Sequence, residues 1–144
     1  MTSEDIKRNL IETLKKNSLK LTRQRLKIIE VLAVDRNHPS ARDILAKVRR
    51  KVPGMSASTV YYTLNLLKRD GLIKELEFYD RENRYEGDIT DHLNLICTRC
   101  GKIQDFHGEI PFQAKHVERK TGFRIQQMRF EYYGLCRECQ AKGR

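Results

Sequence analysis

The segment Ser56-Ala-Ser-Thr-Val-Tyr-Tyr-Thr-Leu-Asn-Leu-Leu-Lys-Arg-Asp-Gly71 decides the fold that we predict for the N-terminal half of the chain. Ser56 or Ser58 can cap a helix, and Gly71 stands where that helix would end. Between them, apolar side chains that can face a core recur at helical spacing, at Val60, Leu64 and Leu67. The segment therefore predicts an amphipathic helix with one apolar face and one polar face.

A short hairpin is predicted directly after this helix. Residues 72–79 favour a β-strand, residues 80–83 favour a turn, and Arg84 and Tyr85 can pair back. Three more helices are predicted upstream, with N-caps at Thr2, Thr22 and Ser40 and apolar faces that include Ile6, Leu10, Leu14, Leu26, Ile29, Ala33, Ile44, Leu45 and Val48. Helices followed by a hairpin form a winged helix, a variant of helix-turn-helix, and we assign it to residues 1–83.

The C-terminal half predicts a mixed sheet with one helix. Strands are expected at residues 92–97, 102–106 and 123–133, with a helix at 111–120 that Gly122 ends. The predicted fold class is therefore α+β, with a winged helix at 1–83, a hinge at 84–90 and a small α/β dimerisation domain at 91–144. So small a core gains from zinc and from dimerisation, and an exposed strand edge in each of two copies could pair across a two-fold axis.

The cysteines form two CxxC pairs, Cys97 with Cys100 and Cys136 with Cys139, and the chain contains no others. Two such turns can supply the four thiolates of a closed, structural zinc site. Two disulfides or four free thiols are the alternatives. Disulfides fit poorly, because no apolar run near the N-terminus resembles a signal peptide and a reducing cytoplasm is therefore expected.

The charge is concentrated in one half of the chain. Among 144 residues with a formal net charge of +10, residues 1–69 contain 16 Lys and Arg against 6 Asp and Glu, whereas residues 70–144 contain 13 of each. This imbalance predicts a polyanionic partner for the first half. A membrane surface is the competing polyanion, but no segment has the Trp, Phe and Leu face with basic flanks that a membrane-lying helix needs.

Double-stranded DNA is therefore the expected partner, and the helix at 56–71 is the expected reading element. It presents small hydroxyls, aromatic rings and an amide that suit base edges, with two basic residues at its end: Ser58, Thr59, Tyr61, Tyr62 and Asn65, then Lys68 and Arg69. The alternative is an ordinary amphipathic helix with a polar outer face. The charge asymmetry and the hairpin favour DNA.

Nearly the whole chain resembles the ferric-uptake-regulator family, most closely its peroxide-responsive branch. The matching stretches follow in the family's order: Leu19-Lys-Leu-Thr-Arg-Gln-Arg-Leu26, His38-Pro39-Ser40-Ala41, Ser58-Thr59-Val60-Tyr61, Asn65-Leu66-Leu67, Gly71-Leu72-Ile73, Asp91-His92, Cys97 to Ile103 and Tyr133 to Cys139. The resemblance implies a homodimeric DNA-binding transcriptional regulator with a cysteine zinc site. It also implies basic DNA contacts at Lys20, Arg23 and Arg25, with Lys20 reaching the minor groove and Tyr61 as the aromatic of the reading helix. Tyr62 stands where relatives carry Arg or Asn, so the preferred operator is expected to differ.

The resemblance further implies a regulatory iron, manganese or zinc at the hinge. Carried over residue by residue, its ligands are His38, Glu86, His92, Asn94 and Asp105. Glu86 replaces an aspartate and can still ligate a hard cation. Asn94 replaces a histidine, so iron should bind less tightly here and manganese should be favoured. Met128 stands where another sensory site of the family has a histidine. The alternatives are a loop histidine at 38, a hydrogen-bonded strand histidine at 92 and an exposed carboxylate at 105. His107 and His116 match no motif and are expected at the surface, although His107 lies close enough to Asp105 in the sequence to substitute as a ligand.

Two functions remain open. The first is a repressor of metal homeostasis or peroxide stress, controlled by the hinge metal and perceiving peroxide through oxidation of His38 or His92. The second is a zinc-stabilised protein that binds DNA constitutively because Asn94 and Met128 have removed the sensor. An enzyme is not expected, because the sequence has no nucleophile with a plausible base, no phosphate loop and no open zinc site.

Overall fold

The computed structural model describes residues 1–109 and 112–143, and the chain divides into two compact units, Met1–Thr90 and Asp91–Arg144. The predicted start of a helix at Pro111 lies outside the described residues. No helix within the described ranges is both long and apolar enough to span a membrane.

The first unit contains four helices and a hairpin, in the order α1 (Ser3–Lys16), α2 (Arg23–Val34), α3 (Ala41–Arg49), α4 (Ala57–Arg69), β1 (Lys74–Leu76) and β2 (Arg84–Glu86). Each helix begins at a hydroxyl side chain that accepts a backbone N–H from the first turn, namely Thr2, Thr22, Ser40 and Ser56. The prediction of a winged helix is confirmed, and Ser56 rather than Ser58 caps the helix of the predicted reading element.

The core of the first unit lies where the four helices meet. The predicted faces of α1 and α4 are buried as expected, with Leu14, Leu64 and Leu67 fully inside. On α2 the burial is shifted, because Ile28 and Leu32 are in the core whereas Leu26 is only half-buried. Burial of such side chains contributes roughly 1.5–3 kcal/mol each, so the apolar faces stabilise the helices far more than their caps do.

The hairpin is attached to the loop before α3. Strands β1 and β2 are antiparallel, with Glu75 opposite Tyr85, and the N–H of Tyr85 donates to the carbonyl of Pro39 at 2.9 Å. An isolated bridge between Ser40 and Arg84 extends this pairing. Residues 84–86, which the sequence placed in the hinge, therefore form a strand of the first unit.

The second unit contains a three-stranded sheet and two helices, in the order β3 (Leu93–Cys97), β4 (Ile103–Phe106), α5 (Ala114–Thr121), β5 (Glu131–Gly134) and α6 (Arg137–Ala141). The strand order is β4-β3-β5, with β4 antiparallel and β5 parallel to β3. Gly122 ends α5 at a φ of 71°, a left-handed conformation that glycine adopts without strain.

The predicted strand at 123–133 is wrong over most of its length, because pairing with β3 begins only at Glu131. Upstream, the N–H of Ile125 donates to the Glu118 carboxylate at 2.8 Å instead of joining a ladder. The sequence also gave no indication of α6. Its N-cap is Cys136, whose sulfur accepts the N–H of Cys139 at 3.5 Å.

Candidate functional site

The four cysteines meet in the second unit. Cys97 ends β3, Cys100 follows in the turn, and Cys136 and Cys139 lie at the start of α6, so that their four sulfurs lie within 4.8 Å of one another. Cys100 Sγ and Cys136 Sγ are 3.8 Å apart. A tetrahedral zinc ion with Zn–S bonds of about 2.3 Å requires sulfurs separated by roughly 3.8 Å. The residues present therefore fit a structural zinc ion.

Backbone amides tune the charge of this cluster. Hydrogen bonds from the backbone N–H groups of Cys100 and Cys136 lower the pKa of the Cys97 thiol to about 5, so that it is a thiolate at neutral pH. The hydrogen bond with the Cys136 side chain, together with burial, raises the pKa of Cys139 to about 12. Four sulfurs this close cannot all carry negative charge without a cation, and zinc is an ion that takes four thiolates in a tetrahedral structural site.

The first unit holds a buried histidine–carboxylate pair. His38 Nε2 lies 2.8 Å from Glu86 Oε2, and both side chains are buried. His38 has a φ of 55°, which is uncommon for a residue that is not glycine and still more so before a proline. Arg84 donates to the carbonyl oxygens of both His38 and Asn37, which holds this conformation in place.

The second unit holds another histidine–carboxylate pair. His92 Nε2 lies 3.5 Å from Asp105 Oδ1, and the His92 side chain is almost completely buried. Asn94 is the register partner of Asp105, so both side chains are on one face of the β3–β4 pair. Asn94 is 6% exposed, and its Oδ1 accepts no hydrogen bond from the described part of the chain.

The imidazole and oxygen donors within each unit suit a hard or borderline divalent cation. A buried amide oxygen without a hydrogen-bond donor is costly, and a metal ion is one of the partners that can satisfy it. The interpretation of Asp105 as an exposed carboxylate is wrong, because it is half-buried beside His92. Met128 is also half-buried and lies in the irregular segment before β5.

The predicted DNA-contacting residues of α4 are on its outer face. Ser58, Tyr61, Tyr62 and Asn65 are exposed, with the two tyrosines at 52% and 61%. Thr59 is partly withdrawn, because its hydroxyl lies 2.9 Å from the hydroxyl of the capping Ser56. The geometry therefore leaves four of the five side chains accessible to a ligand.

The basic residues predicted to contact DNA differ in how far other residues engage their charged groups. Lys68, one of the two basic residues at the end of the predicted reading helix, forms ion pairs with Glu75 at 2.6 Å and Glu77 at 3.3 Å. Arg25 donates to the carbonyl of Lys20 at 2.7 Å, which fixes the backbone that carries the exposed Lys20 side chain. Arg23 is exposed and donates to the carbonyl of Lys51 at 3.4 Å. Sequence reasoning missed this supporting role of Arg25.

Known proteins resemble this chain over nearly its whole length. A peroxide operon regulator of Bacillus subtilis is 40% identical over 146 residues, covering 99% of this chain and 98% of the relative. The Helicobacter pylori ferric uptake regulator, described as having three functional metal-binding sites, has a TM-score of 0.77 at 33% identity and covers 97% of this chain and 95% of its own.

A zinc uptake regulator solved with zinc and DNA has a TM-score of 0.66 at 26% identity, covering 99% of this chain and 97% of its own. The model of the Ferric uptake regulator family matches residues 16–133. The resemblance noted in the sequence is thereby confirmed: the chain belongs to the ferric uptake regulator family.

Proposed function

We propose that this protein is a homodimeric, DNA-binding transcriptional repressor of metal homeostasis or peroxide stress, whose affinity for DNA is set by a divalent cation. One observation carries the proposal: each unit contains a buried histidine beside a carboxylate, His38 with Glu86 in one and His92 with Asp105 in the other. A cation that takes ligands from both pairs would couple the DNA-binding unit to the dimerisation unit. The name of the Bacillus subtilis relative supports the peroxide response.

The first unit is proposed to bind the operator. The excess of Lys and Arg in residues 1–69 supports electrostatic attraction to phosphates. The exposed side chains of α4 are suited to base edges in the major groove. The residues assigned to DNA are Lys20, Arg23, Arg25, Ser58, Thr59, Tyr61, Tyr62 and Asn65, with Arg25 acting through the backbone of Lys20. A dimer presents two such helices, whose spacing must match one helical turn of DNA or a multiple of it.

The second unit is proposed to form the dimer and to be stabilised by zinc at Cys97, Cys100, Cys136 and Cys139. Large apolar side chains remain exposed in this unit, namely Phe106, Phe112, Phe123, Tyr132, Tyr133 and Leu135. So many exposed large apolar side chains in one small unit support burial against a second copy. A site of four thiolates suits a reducing compartment, and we therefore place the protein in the cytoplasm.

The regulatory cation is proposed to bind His38, Glu86, His92, Asn94 and Asp105. Two imidazoles with three oxygen donors form a set that manganese and iron both accept, and replacement of an imidazole by an amide oxygen favours manganese. When iron is bound, it supplies the redox chemistry through which peroxide can oxidise a ligating histidine. The buried, unsatisfied Oδ1 of Asn94 supports its assignment as a ligand rather than as a bystander.

The experiment is a titration of DNA binding with metal. Operator sequences are first selected from random duplexes with Mn²⁺-loaded protein, and their binding is then followed by fluorescence anisotropy with Mn²⁺, Fe²⁺ or a mild chelator that leaves zinc in place. We expect affinity to rise with metal and to be lost in His38→Ala. Binding that is indifferent to metal and chelator would instead identify a constitutive DNA-binding protein.

A further inference from the structure

The β3–β4 register brings a second histidine to the face that carries His92. Asn94 pairs with Asp105, and Leu93 pairs with Phe106. Continuing the same antiparallel register by one step places His92 opposite His107, just beyond the ends of the two strands. Their ring centroids are 5.1 Å apart with the ring planes tilted by 38°, which agrees with a direct cross-strand pair.

Two adjacent cross-strand pairs therefore present four metal-ligating side chains on one face. One pair is His92 with His107, and the next is Asn94 with Asp105. His92 and Asn94 are buried, Asp105 is half-buried and His107 is exposed. His92 and Asn94 therefore form the buried part of this face, and the His107 imidazole lies at its solvent-exposed edge.

Two observations point to a cation rather than to a chance contact. The first is Asn94 Oδ1, which is buried and receives no hydrogen bond within residues 1–109 and 112–143. The second is the 3.5 Å separation of His92 Nε2 from Asp105 Oδ1, which leaves these atoms near one another on the same face. An exposed histidine reorients by rotation about only two side-chain bonds, so His107 can turn a ring nitrogen towards this group.

We propose that His107 is a ligand of the cation on this face, and that it supplies the imidazole that position 94 lacks. The inference rests on the proposed function, because it names a further ligand of the same cation. With His107, the second unit alone offers two imidazoles, a carboxylate and an amide oxygen. Most of the donors to the cation then come from the β3–β4 hairpin. In this arrangement Asn94 is itself a ligand, through its side-chain oxygen.

The test is calorimetric titration of zinc-loaded, full-length protein with Mn²⁺. Loss of a group that merely orients a ligand lowers metal affinity about 10–100-fold, so loss of a ligand in His107→Ala should lower it at least as much. The matched control is His116→Ala, which removes another exposed histidine of the same unit, on α5, and should leave affinity unchanged. Adding Asn94→His to His107→Ala should restore tight binding.

Pulsed electron paramagnetic resonance of the Mn²⁺ form gives a second measurement that does not depend on affinity. His107→Ala should lose one imidazole nitrogen coupling, and His116→Ala should lose none. Circular dichroism verifies the fold of each variant, and His107→Gln replaces the alanine variant if that one unfolds. Unchanged affinity and unchanged nitrogen couplings in a wild-type protein that does bind Mn²⁺ would overturn the role of His107 alone. A wild-type protein that binds zinc but no further cation would overturn both this inference and the proposed regulatory site.

Discussion

Nε2 of His38 lies 2.8 Å from Oε2 of Glu86, and the histidine reaches this position with a left-handed φ of 55°. A residue other than glycine held in this region costs of the order of 1–3 kcal/mol, and such conformations concentrate at binding sites. The loop before α3 therefore stores strain that the hydrogen bonds from Arg84 offset. This arrangement is expected where a ligand must be presented, and it leads to the first prediction.

His38→Asn should separate stability from metal binding. Asparagine tolerates a left-handed φ better than histidine does, and this gain offsets part of the cost of taking the imidazole away from the buried Glu86 carboxylate, so the free energy of unfolding should fall by no more than about 1–3 kcal/mol. Metal-dependent DNA binding should be lost together with the imidazole. Urea unfolding followed by tyrosine fluorescence measures the first effect, and anisotropy with labelled operator measures the second. A variant that keeps its full metal response would contradict the assignment of His38.

Cys136→Ser should release zinc and unfold the second unit. The free energy of binding a structural zinc is free energy of folding, about 10–16 kcal/mol in zinc-finger peptides, and Cys136 also caps α6. We expect loss of zinc by mass spectrometry and loss of the dimer by light scattering. Glu138→Gln, which changes an exposed neighbouring side chain, is the control and should keep both. A zinc-free Cys136→Ser dimer with an unchanged melting temperature would refute the structural role.

Glu75 should make the stability of the first unit depend on pH. Burial raises its pKa, but hydrogen bonds from Lys68, Asn83 and Tyr85 outweigh this and lower it below the usual 4.5. A carboxyl with a lowered folded pKa stabilises the fold above its unfolded pKa, and this contribution disappears as the pH falls through the folded value. Glu75→Gln should cost about 1–3 kcal/mol at pH 7.

The difference between wild type and Glu75→Gln should therefore shrink as the pH falls below about 4.5. Urea unfolding of both proteins between pH 3 and 7, at constant ionic strength, measures it. Glu77→Gln is the matched control, because Glu77 also pairs with Lys68 but is exposed at 58% of its side chain. Equal costs for the two substitutions at every pH would rule out the special role of Glu75.

Lys20 and Arg25 should affect DNA binding in the same way. Lys20→Ala removes one positive charge from the proposed DNA interface, so affinity should fall alike for all sequences and the salt slope should flatten by about 0.9. Arg25→Ala should weaken binding similarly, because it releases the backbone of Lys20. Tyr62→Ala should instead relax the choice between operators. The measurement is anisotropy with two operators at several salt concentrations, with Lys15→Ala as the exposed control.

Asn94→His should tighten metal binding and shift the preference from manganese towards iron and zinc, because nitrogen replaces an oxygen donor. Asn94→Ala should weaken manganese binding, since it removes the buried Oδ1. Competitive titration against a fluorescent chelator measures both changes in the zinc-loaded protein. If Asn94→Ala binds manganese as tightly as wild type does, the amide oxygen is not a ligand and its burial has another cause.

Local signals explain why the first unit could be predicted from the sequence. The N-caps of α1 and α3 depend on residues within one helical turn, and both were identified correctly. The cysteine cluster could also be anticipated, because CxxC spacing fixes two sulfurs at a time. These features need no knowledge of which distant segments pair.

The rest of the site depends on pairing between segments. The sequence shows that residue 94 is an asparagine but not that its side-chain oxygen is buried. His107 is exposed, as expected, but only the strand register shows that it lies opposite His92. Residues 123–130 have strand-like composition, yet Glu118 takes the N–H of Ile125 and pairing starts later. Tertiary contacts decided each of these cases.

The parallel pairing of β5 with β3 also affects the order in which the protein can fold during synthesis. Helices α1 to α4 make contacts with near neighbours in the sequence, and such local topologies fold rapidly. The partner of Asn94 is Glu131, and the last sulfur of the cluster belongs to Cys139. The ribosome must therefore have translated as far as Cys139 before the second unit can close around its metal, by which time the first unit can already be folded. On the proposed assignment of DNA binding to the first unit and dimerisation to the second, a nascent chain would be able to bind DNA before it could dimerise.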